Sequence, residues 1–493
     1  MHYHITVADP ASHFLNLTFT VSKVDQEYLE LQLPAWRPGR YEIQNFAKNI
    51  QNIAAFSHQG DKLSIEKIGK DRWRVATRGQ QEVRIAYNYY ANILNAGTSY
   101  VDAELWYLNF INFALYVDGR MTEPYRISLD IPTAYQVATG LKMEGPELFA
   151  PDFYTLVDSP VLASATIQVG TYQLEGVDFS VWMQGKQKPN WERILDQFSR
   201  FSAEQLATMG TFPEKDYHFM NLILPTAYYH GVEHRNSTMV VLGPDDEGEE
   251  FYADLLGVSS HELFHAWNII RIRPVELLPY DFTRENYFQT CFVAEGCTTY
   301  YGDLFLVRAG VFDLQAYIKE LEVYMKRHFE NSGNASQSLL ESSYDLWLDG
   351  YEKGIPDRKV SVYHKGALVA LILDLYLRKH SNHSRSLDDV MRILWERFGK
   401  PFIGYSLQDY QQVVEEVAGE PLDWYWERCI RGTEPLEGLL NEALKLVGLQ
   451  MLVLENGQIS LSLQADEGSA QHLSRWLSSR QPASQGEMGA GAL

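Results

Sequence analysis

The pentapeptide His261-Glu262-Leu263-Phe264-His265 constrains this chain of 493 residues more than any other feature. Residues four apart on an α-helix are surface neighbours, so both imidazoles can bind one zinc ion while Glu262 projects beside them. Zinc with three protein ligands keeps a fourth position for water and lowers the pKa of that water to about 7. With a carboxylate base alongside, the pattern predicts hydrolysis of an amide bond.

The residues around the pentapeptide favour a mostly buried helix. The run 251–270 contains no proline, and its apolar positions include Leu255, Val258, Phe264 and Trp267. This composition predicts a helix that carries the pentapeptide into the core. The alternative interpretation is a pair of core histidines that bond to backbone carbonyls, with a glutamate at the surface.

A third zinc ligand has to come from another segment, and two carboxylates lie downstream. Glu295 lies in an apolar stretch that continues to Leu306 and suits a second packed helix, whereas Glu285 lies in a more polar stretch. Burying a carboxylate without a partner is costly, and zinc would be that partner for Glu295. Two histidines and one glutamate form a known catalytic zinc set. We expect Glu285 to be solvated or to contact a zinc ligand without binding the metal itself.

The segment 260–310 resembles the glycyl aminopeptidase family of zinc metallopeptidases, which are relatives of the thermolysin-like aminopeptidases. Three family hallmarks occur: His-Glu-x-x-His before Trp-Asn, then Arg-Ile-Arg-Pro at 271–274, then Glu-Gly-x-Thr-x-Tyr-Tyr at 295–301. The segment Pro-Ala-Trp-Arg-Pro-Gly-Arg-Tyr at 34–41 is similar to a fourth family element. The resemblance therefore covers roughly residues 1–450.

The resemblance implies specific roles for individual residues. It makes His261, His265 and Glu295 the ligands of one zinc ion and Glu262 the general base. Tyr363, in Tyr-x-Lys-Gly-Ala, resembles the tyrosine that donates a hydrogen bond to the developing oxyanion in the related aminopeptidases. The other interpretation of Tyr363 is a half-exposed aromatic residue on a core helix.

The residues of the segment 229–238 by themselves predict a polar loop and an edge strand near a sheet. It resembles the family's Gly-Gly-Leu-Glu-His segment, in which the glutamate binds the free α-amine of the substrate. The resemblance gives that role to Glu233, although His230 stands where the family commonly has its first glycine. The alternative is an exposed loop glutamate.

Composition excludes several classes of protein. A net charge of −22 discourages binding to nucleic acid or to anionic membranes, which require basic patches. Three cysteines cannot build a disulfide framework, and we expect Cys291 and Cys297 to be small packing residues. The chain begins without a signal-peptide pattern and has no apolar run long enough for a membrane span, so we expect a cytoplasmic protein.

The hydrophobic patterns predict an α+β multidomain chain. Period-2 alternation predicts an antiparallel β domain over 1–170, mixed strands and helices predict the thermolysin-like catalytic domain over 171–330, and helical patterns predict an α-helical domain over 331–450. Ser386 and Ser406 each open a helix with a capping-box pattern. Many relatives carry a PDZ-like domain next, but the segment 451–493 is too short for one, so we expect a truncated remnant.

These expectations combine into a zinc-dependent aminopeptidase that removes N-terminal residues from peptides with a free amine. A preference for glycine or alanine is implied by the resemblance. The rival hypotheses are a zinc endopeptidase with the same chemistry and a non-catalytic peptide-binding member of the family.

Overall fold

The computed structural model describes residues 1–478 except 187, 245–247, 331, 351–354, 454–457 and 465. The chain forms two compact units. The first comprises Met1–Trp191, Glu214–Leu255 and Asp281–Asn286, and the second comprises Glu192–Pro213, Leu256–Tyr280 and the chain from Tyr287 onward. Because the units interleave along the chain, the domain boundaries expected after residues 170, 330 and 450 remain predictions.

The first unit is built mainly from antiparallel strands, as the alternation predicts. Leu15, Leu17, Phe19 and Val21 are buried on one face of Phe14–Ser22, while the residues between them are partly exposed. The largest sheet contains, in spatial order, Lys142–Glu144, Glu147–Ala150, Tyr125–Leu129, His2–Thr6, Phe14–Ser22, Glu82–Tyr90, Ile50–Ser57 and Lys62–Leu63. Only the pair His2–Thr6 and Tyr125–Leu129 in this sheet is parallel.

Smaller antiparallel sheets complete the N-terminal part of this unit. One contains Tyr100–Val101, Leu105–Leu108, Val161–Ser164 and Gln136–Thr139, and another contains Tyr116–Val117, Tyr28–Gln32, Arg72–Ala76 and Ile65–Lys67. A short hairpin pairs Trp36–Arg37 with Glu42–Ile43. The helical turns are Pro10–Ser12, Phe46–Asn49, Phe110–Asn112 and Phe153–Val157.

A five-stranded mixed sheet carries the segment that contains Glu233. Its spatial order is Gln168–Leu174, Val177–Gln184, Asp216–Ile223, Ser237–Gly243 and Tyr228–Glu233. The last of these strands lies at the edge of the sheet, as the sequence predicts, and it pairs antiparallel with Ser237–Gly243. The pairing runs without a shift through His230, so the histidine in place of the family's glycine leaves a regular strand.

The second unit is helical around the buried helix His364–His380. Two of its α-helices begin in the first unit: Trp191–Met209 belongs to the second unit from residue 192, and Glu249–Phe264 from residue 256. The other α-helices are Thr298–Arg308, Leu314–Phe329, Leu339–Tyr344, Leu346–Asp349, His364–His380, Leu387–Leu394, Leu407–Ala418, Asp423–Tyr425, Glu437–Lys445 and Glu467–Trp476. Short 3₁₀ segments are Val275–Leu277 and Ser332–Ala335, and π-helical segments are Phe292–Cys297, Trp395–Gly399 and Trp426–Ile430. The capping boxes predicted at Ser386 and Ser406 are both formed.

The C-terminal part of this unit forms a hairpin and a helix, and the truncated PDZ-like remnant stays a prediction. A hairpin pairs Leu449–Val453 with Ile459–Leu463. It is followed by the helix Glu467–Trp476, which the sequence reading missed. The Trp476 indole is fully buried and donates a hydrogen bond to the Tyr300 hydroxyl at 2.9 Å. Residues 479–493, the rest of the expected tail, lie outside the described residues. Among the helices described, none combines the length and the apolar character that crossing a bilayer requires.

Candidate active site

The helix Glu249–Phe264 carries His261 in a half-buried position, but it ends earlier than the sequence predicts. The run 251–270 was expected to be helical throughout, whereas Ala266 and Trp267 bond back only three residues, to Leu263 and Phe264. Ile269 then adopts a φ of +86°, which no α-helix accommodates. The helix stops there because the chain reverses to pair Asn268 with Ile272. His265 still bonds to the His261 carbonyl at 3.4 Å, so the two imidazoles remain one turn apart.

Three side chains converge at the end of this helix. Nε2 of His261 lies 3.0 Å from Nε2 of His265, and Oε2 of Glu295 lies 3.6 Å and 3.3 Å from these two nitrogens. The rings are nearly perpendicular, at 83°. Ligands about 2.0–2.2 Å from a common ion in a tetrahedral arrangement are separated by about 3.4 Å. The spacing of the three atoms therefore suits one zinc ion.

The position of the ring proton on His265 explains why the three side chains require a cation. Nδ1 of His265 lies 2.9 Å from the Asn268 carbonyl oxygen, and because a carbonyl only accepts, Nδ1 carries the proton. If the ring is neutral, as a metal ligand must be, Nε2 of His265 presents a lone pair to the lone pairs of His261 and Glu295. Such a set of acceptors repels itself unless a cation binds among them. The donor set thus fits a zinc ion on chemical grounds.

Asn268 connects the two segments that carry the histidines and the glutamate. Its amide nitrogen donates to the carbonyls of Val293 and Ala294, at 2.8 and 3.1 Å, and lies 2.9 Å from the Thr298 hydroxyl. The backbone carbonyl of Asn268 orients His265 at the same time. One buried asparagine therefore sets the spacing between His265 and Glu295, a role that the sequence reading missed.

Glu295 lies in a π-helical turn, Phe292–Cys297, that continues into the helix Thr298–Arg308. The predicted second packed helix is therefore present, with a wider first turn. π-Turns inside helices are frequent at functional sites. Glu295 is only 2% exposed, as its apolar surroundings predict.

Two glycines bring the Glu295 segment against the helix that follows Tyr363. A methyl group added to Gly296 would lie 2.5 Å from the Cα atom of Gly366, and one added to Gly366 would lie 2.7 Å from that of Gly296. Tyr363 is half-buried immediately before the helix His364–His380 and three residues from this contact. The glycines in Glu-Gly and Lys-Gly-Ala thus serve close backbone packing, which a sequence pattern by itself does not reveal.

The electrostatics of the cluster favour its metal-binding protonation states. Burial lowers the pKa of His261 below its ordinary value, although the hydrogen bond to Glu295 acts to raise it, so the imidazole is neutral near pH 7. Burial alone would raise the pKa of Glu295, but His265 and His261 outweigh it and hold that pKa well below the ordinary range. Neutral imidazoles and an ionised carboxylate are the forms that bind zinc.

Glu262 is on the same helix as both histidines and is 5% exposed. One of its carboxylate oxygens lies within 4.8 Å of a ring nitrogen of His265. Glu262 is therefore not the surface residue of the alternative interpretation. Its carboxylate is in a partly dehydrated position beside the three converging ligands.

Glu233 lies in the first unit, at the end of the edge strand Tyr228–Glu233, and is 8% exposed. This burial argues against the exposed loop glutamate that the sequence left open. Glu285 also lies in the first unit and is half-buried. The convergence of His261, His265 and Glu295 in the second unit does not include it.

Comparisons with known proteins identify the family to which this chain belongs. The profile of the M61 peptidase N-terminal domain matches residues 2–165, and that of M61 glycyl aminopeptidase matches residues 254–369. An aminopeptidase N family protein from Idiomarina loihiensis is 30% identical with a TM-score of 0.87, over 95% of this chain and 82% of that chain. The chain belongs to the M61 glycyl aminopeptidase family. The predicted resemblance is confirmed.

More distant structures share the fold of the M61 chain. The M1 zinc metallopeptidase from Deinococcus radiodurans superposes with a TM-score of 0.53 at 15% identity, over 88% of this chain and 94% of that chain. A mutant of that enzyme bound to a Tyr-Ser-Ala substrate gives the same agreement. No protein in the curated set matches the sequence significantly. The predicted α+β architecture is confirmed, and the M61 chain is a zinc metallopeptidase of the aminopeptidase class.

The M61 hallmark Arg-Ile-Arg-Pro has a structural role in this chain. Arg273 donates to the carbonyls of Ile269 and Ile270, at 3.3 and 3.1 Å, and stacks over Tyr280 and Phe402. These contacts hold the left-handed backbone after the histidines. The hallmark therefore stabilises the reversal that follows the helix Glu249–Phe264.

Proposed function

We propose that this M61 enzyme removes N-terminal residues, with glycine or alanine preferred, from peptides that have a free α-amine. The observation that carries the proposal is the convergence of Nε2 of His261, Nε2 of His265 and Oε2 of Glu295. These three residues would hold one zinc ion. Zinc, when bound, supplies a Lewis acid that makes water a nucleophile at neutral pH and polarises the scissile carbonyl.

Glu262 is the general base and then the general acid of the proposed reaction. Its carboxylate accepts a proton from the attacking water as the oxygen forms a bond to the carbonyl carbon. It then donates that proton to the leaving amine when the carbon–nitrogen bond breaks. Its low exposure and its place beside His265 support this role, because a carboxylate that is shielded from solvent keeps the transferred proton within the site.

Tyr363 is the proposed hydrogen-bond donor to the oxyanion. The role rests on the family motif, and the Gly296–Gly366 contact supports it, because that contact packs the helix start against the Glu295 segment. We expect Tyr363→Phe to lower kcat by about 10²–10³-fold with little change in KM. Tyr376→Phe is the matched control, since Tyr376 is on the same helix and bonds to Glu420 instead. Wild-type kcat for Tyr363→Phe would remove the tyrosine from the mechanism.

Glu233 is the proposed partner of the substrate ammonium group, which makes the enzyme an aminopeptidase rather than an endopeptidase. Removing one member of a buried charge pair costs about 2 kcal/mol or more. We therefore expect Glu233→Ala to lower kcat/KM for alanyl-p-nitroanilide by roughly 30-fold or more, with no comparable loss on N-acetyl-alanyl-p-nitroanilide. If wild type and variant cleave the acetylated substrate equally well and at the free-amine rate, the endopeptidase hypothesis replaces this one.

Side-chain preference is tested on aminoacyl-p-nitroanilides with glycine, alanine, leucine and phenylalanine. A higher kcat/KM for the glycine and alanine substrates than for the leucine and phenylalanine substrates would support the proposed preference. Peptide substrates are supported by the M1 relative that binds Tyr-Ser-Ala. A faster reaction with leucine or phenylalanine would contradict the preference without affecting the assignment of the zinc ligands.

A further inference from the structure

The family element at 34–41 forms a tight hairpin in the first unit. Trp36–Arg37 pairs with Glu42–Ile43, and the Arg40 amide donates to the Arg37 carbonyl at 3.3 Å. Pro38 and Gly39 occupy the two central positions, and Gly39 has a φ of +76°. This is the arrangement of a type II turn, which requires a residue that tolerates positive φ at the second central position. The turn thus explains the Pro-Gly pair, but it does not explain why the neighbouring residue 37 is a buried arginine.

The tip of this hairpin lies against the strand that carries Glu233. A methyl group added to Gly39 would lie 2.9 Å from Oε2 of Glu233 and 2.9 Å from Cγ1 of Val232. Beside this contact, Nη1 of Arg40 lies 3.1 Å from Nε2 of His230 on the same strand. Gly39 therefore leaves room for the Glu233 carboxylate in its present position, because any larger residue would displace that carboxylate.

Arg37 places a buried positive charge near the same carboxylate. The side chain is 2% exposed, and its Nε and Nη2 make no hydrogen bond to any described residue. Burial lowers the pKa of Arg37, while Tyr107, Glu233 and Asp158 act to raise it. An arginine stays charged even when it is buried, so Arg37 attracts the negatively charged groups that raise its pKa, Glu233 among them.

We propose that the hairpin 36–43 is a specificity-determining element that positions Glu233 for the substrate ammonium group. Gly39 provides the surface against which the carboxylate lies, and Arg37, buried on the same hairpin, provides a positive charge that attracts it. This inference rests on the proposed role of Glu233 as the amine-binding residue. Gly39 and Arg37 are positioning residues, since they act on the substrate through Glu233.

The test compares Gly39→Ala with Gly79→Ala in the full chain. Gly79 has a φ of +75°, almost that of Gly39, but a methyl group there would meet no atom within 4 Å. Both variants therefore place a side chain at nearly the same left-handed φ, and only Gly39→Ala moves a carboxylate. We expect Gly39→Ala to raise KM for alanyl-p-nitroanilide about 10-fold with a smaller change in kcat, since small misplacements of a binding group are costly. Gly79→Ala should keep the wild-type KM.

Inhibition by alaninamide and by N-acetyl-alaninamide gives a second readout. Gly39→Ala should weaken inhibition by the free amine about 10-fold and leave inhibition by the acetylated form unchanged. Arg37→Gln should act in the same direction, and Arg37→Lys should recover most of the loss because it restores the charge. If Arg37→Gln does not fold, the Gly39 and Gly79 pair decides.

The possible results separate this inference from the function on which it rests. If Glu233→Ala weakens free-amine inhibition and Gly39→Ala does not, the hairpin has no positioning role and the inference is wrong. If Gly39→Ala and Gly79→Ala raise KM equally, backbone strain explains the effect and the inference is again wrong. If Glu233→Ala itself leaves free-amine inhibition unchanged, the amine-binding role fails and the inference fails with it.

Discussion

Glu262→Gln is expected to lower kcat by about 10²–10⁴-fold while zinc content stays at the wild-type level. Glutamine has nearly the same shape as glutamate and so preserves packing at this buried position, but it cannot accept the proton of the attacking water. Because Glu262 is not one of the three converging donors, the metal site should remain intact. Turnover of alanyl-p-nitroanilide and metal analysis of the same preparation measure both effects.

Glu250→Gln is the matched control for this experiment. Glu250 lies in the first turn of the same helix and is exposed, so its replacement should leave turnover unchanged. Wild-type kcat for Glu262→Gln would rule out this glutamate as the base. Loss of zinc together with activity would instead make Glu262 part of the metal site, which the ligand set proposed above does not allow.

Glu295→Gln is expected to lose zinc and, with it, nearly all activity. A neutral amide is a far weaker ligand than a carboxylate, and it removes the only negative charge among the three converging donors. Loss of an outer hydrogen-bond partner already costs about 10–100-fold in metal affinity, so loss of a ligand should cost more. Zinc titration followed by activity should give a correspondingly higher dissociation constant.

Thermal unfolding provides an independent readout of the same change. A ligand that binds only the folded state stabilises it by about 2.7 kcal/mol at 100 times its dissociation constant. Added zinc should therefore raise the Tm of the apo wild-type enzyme but not that of Glu295→Gln. Glu285→Gln, which changes the other carboxylate considered as a ligand, should respond like wild type. The reverse pattern would make Glu285 the ligand.

The local patterns in the sequence predicted the elements that depend on neighbouring residues. The four-residue spacing of His261 and His265 predicted one helical face, because the helix repeat makes such residues neighbours. Alternation over Phe14–Ser22 predicted a half-buried strand, and the capping boxes at Ser386 and Ser406 predicted two helix starts. Each of these features follows from side chains a few positions apart.

The length of the helix that carries His261 was predicted less well. The absence of proline up to residue 273 suggested a helix as far as 270, but it ends at Phe264. The reversal depends on Arg273, whose side chain bonds back to the carbonyls of Ile269 and Ile270. It depends also on the Asn268 side chain, which reaches across to the Glu295 segment. Helix propensity depends on nearby residues and gives no information about such contacts.

The sequence by itself thus determined which residue types are available for zinc chemistry and which local structures carry them. Its helix period paired the two histidines, and the apolar surroundings of Glu295 singled it out from Glu285. Only the tertiary structure decided how Glu295 meets the histidines, through the Asn268 amide and the π-turn, and how Gly296 meets Gly366. These contacts join residues far apart in the chain, and their distances depend on how whole helices pack, which no local pattern contains.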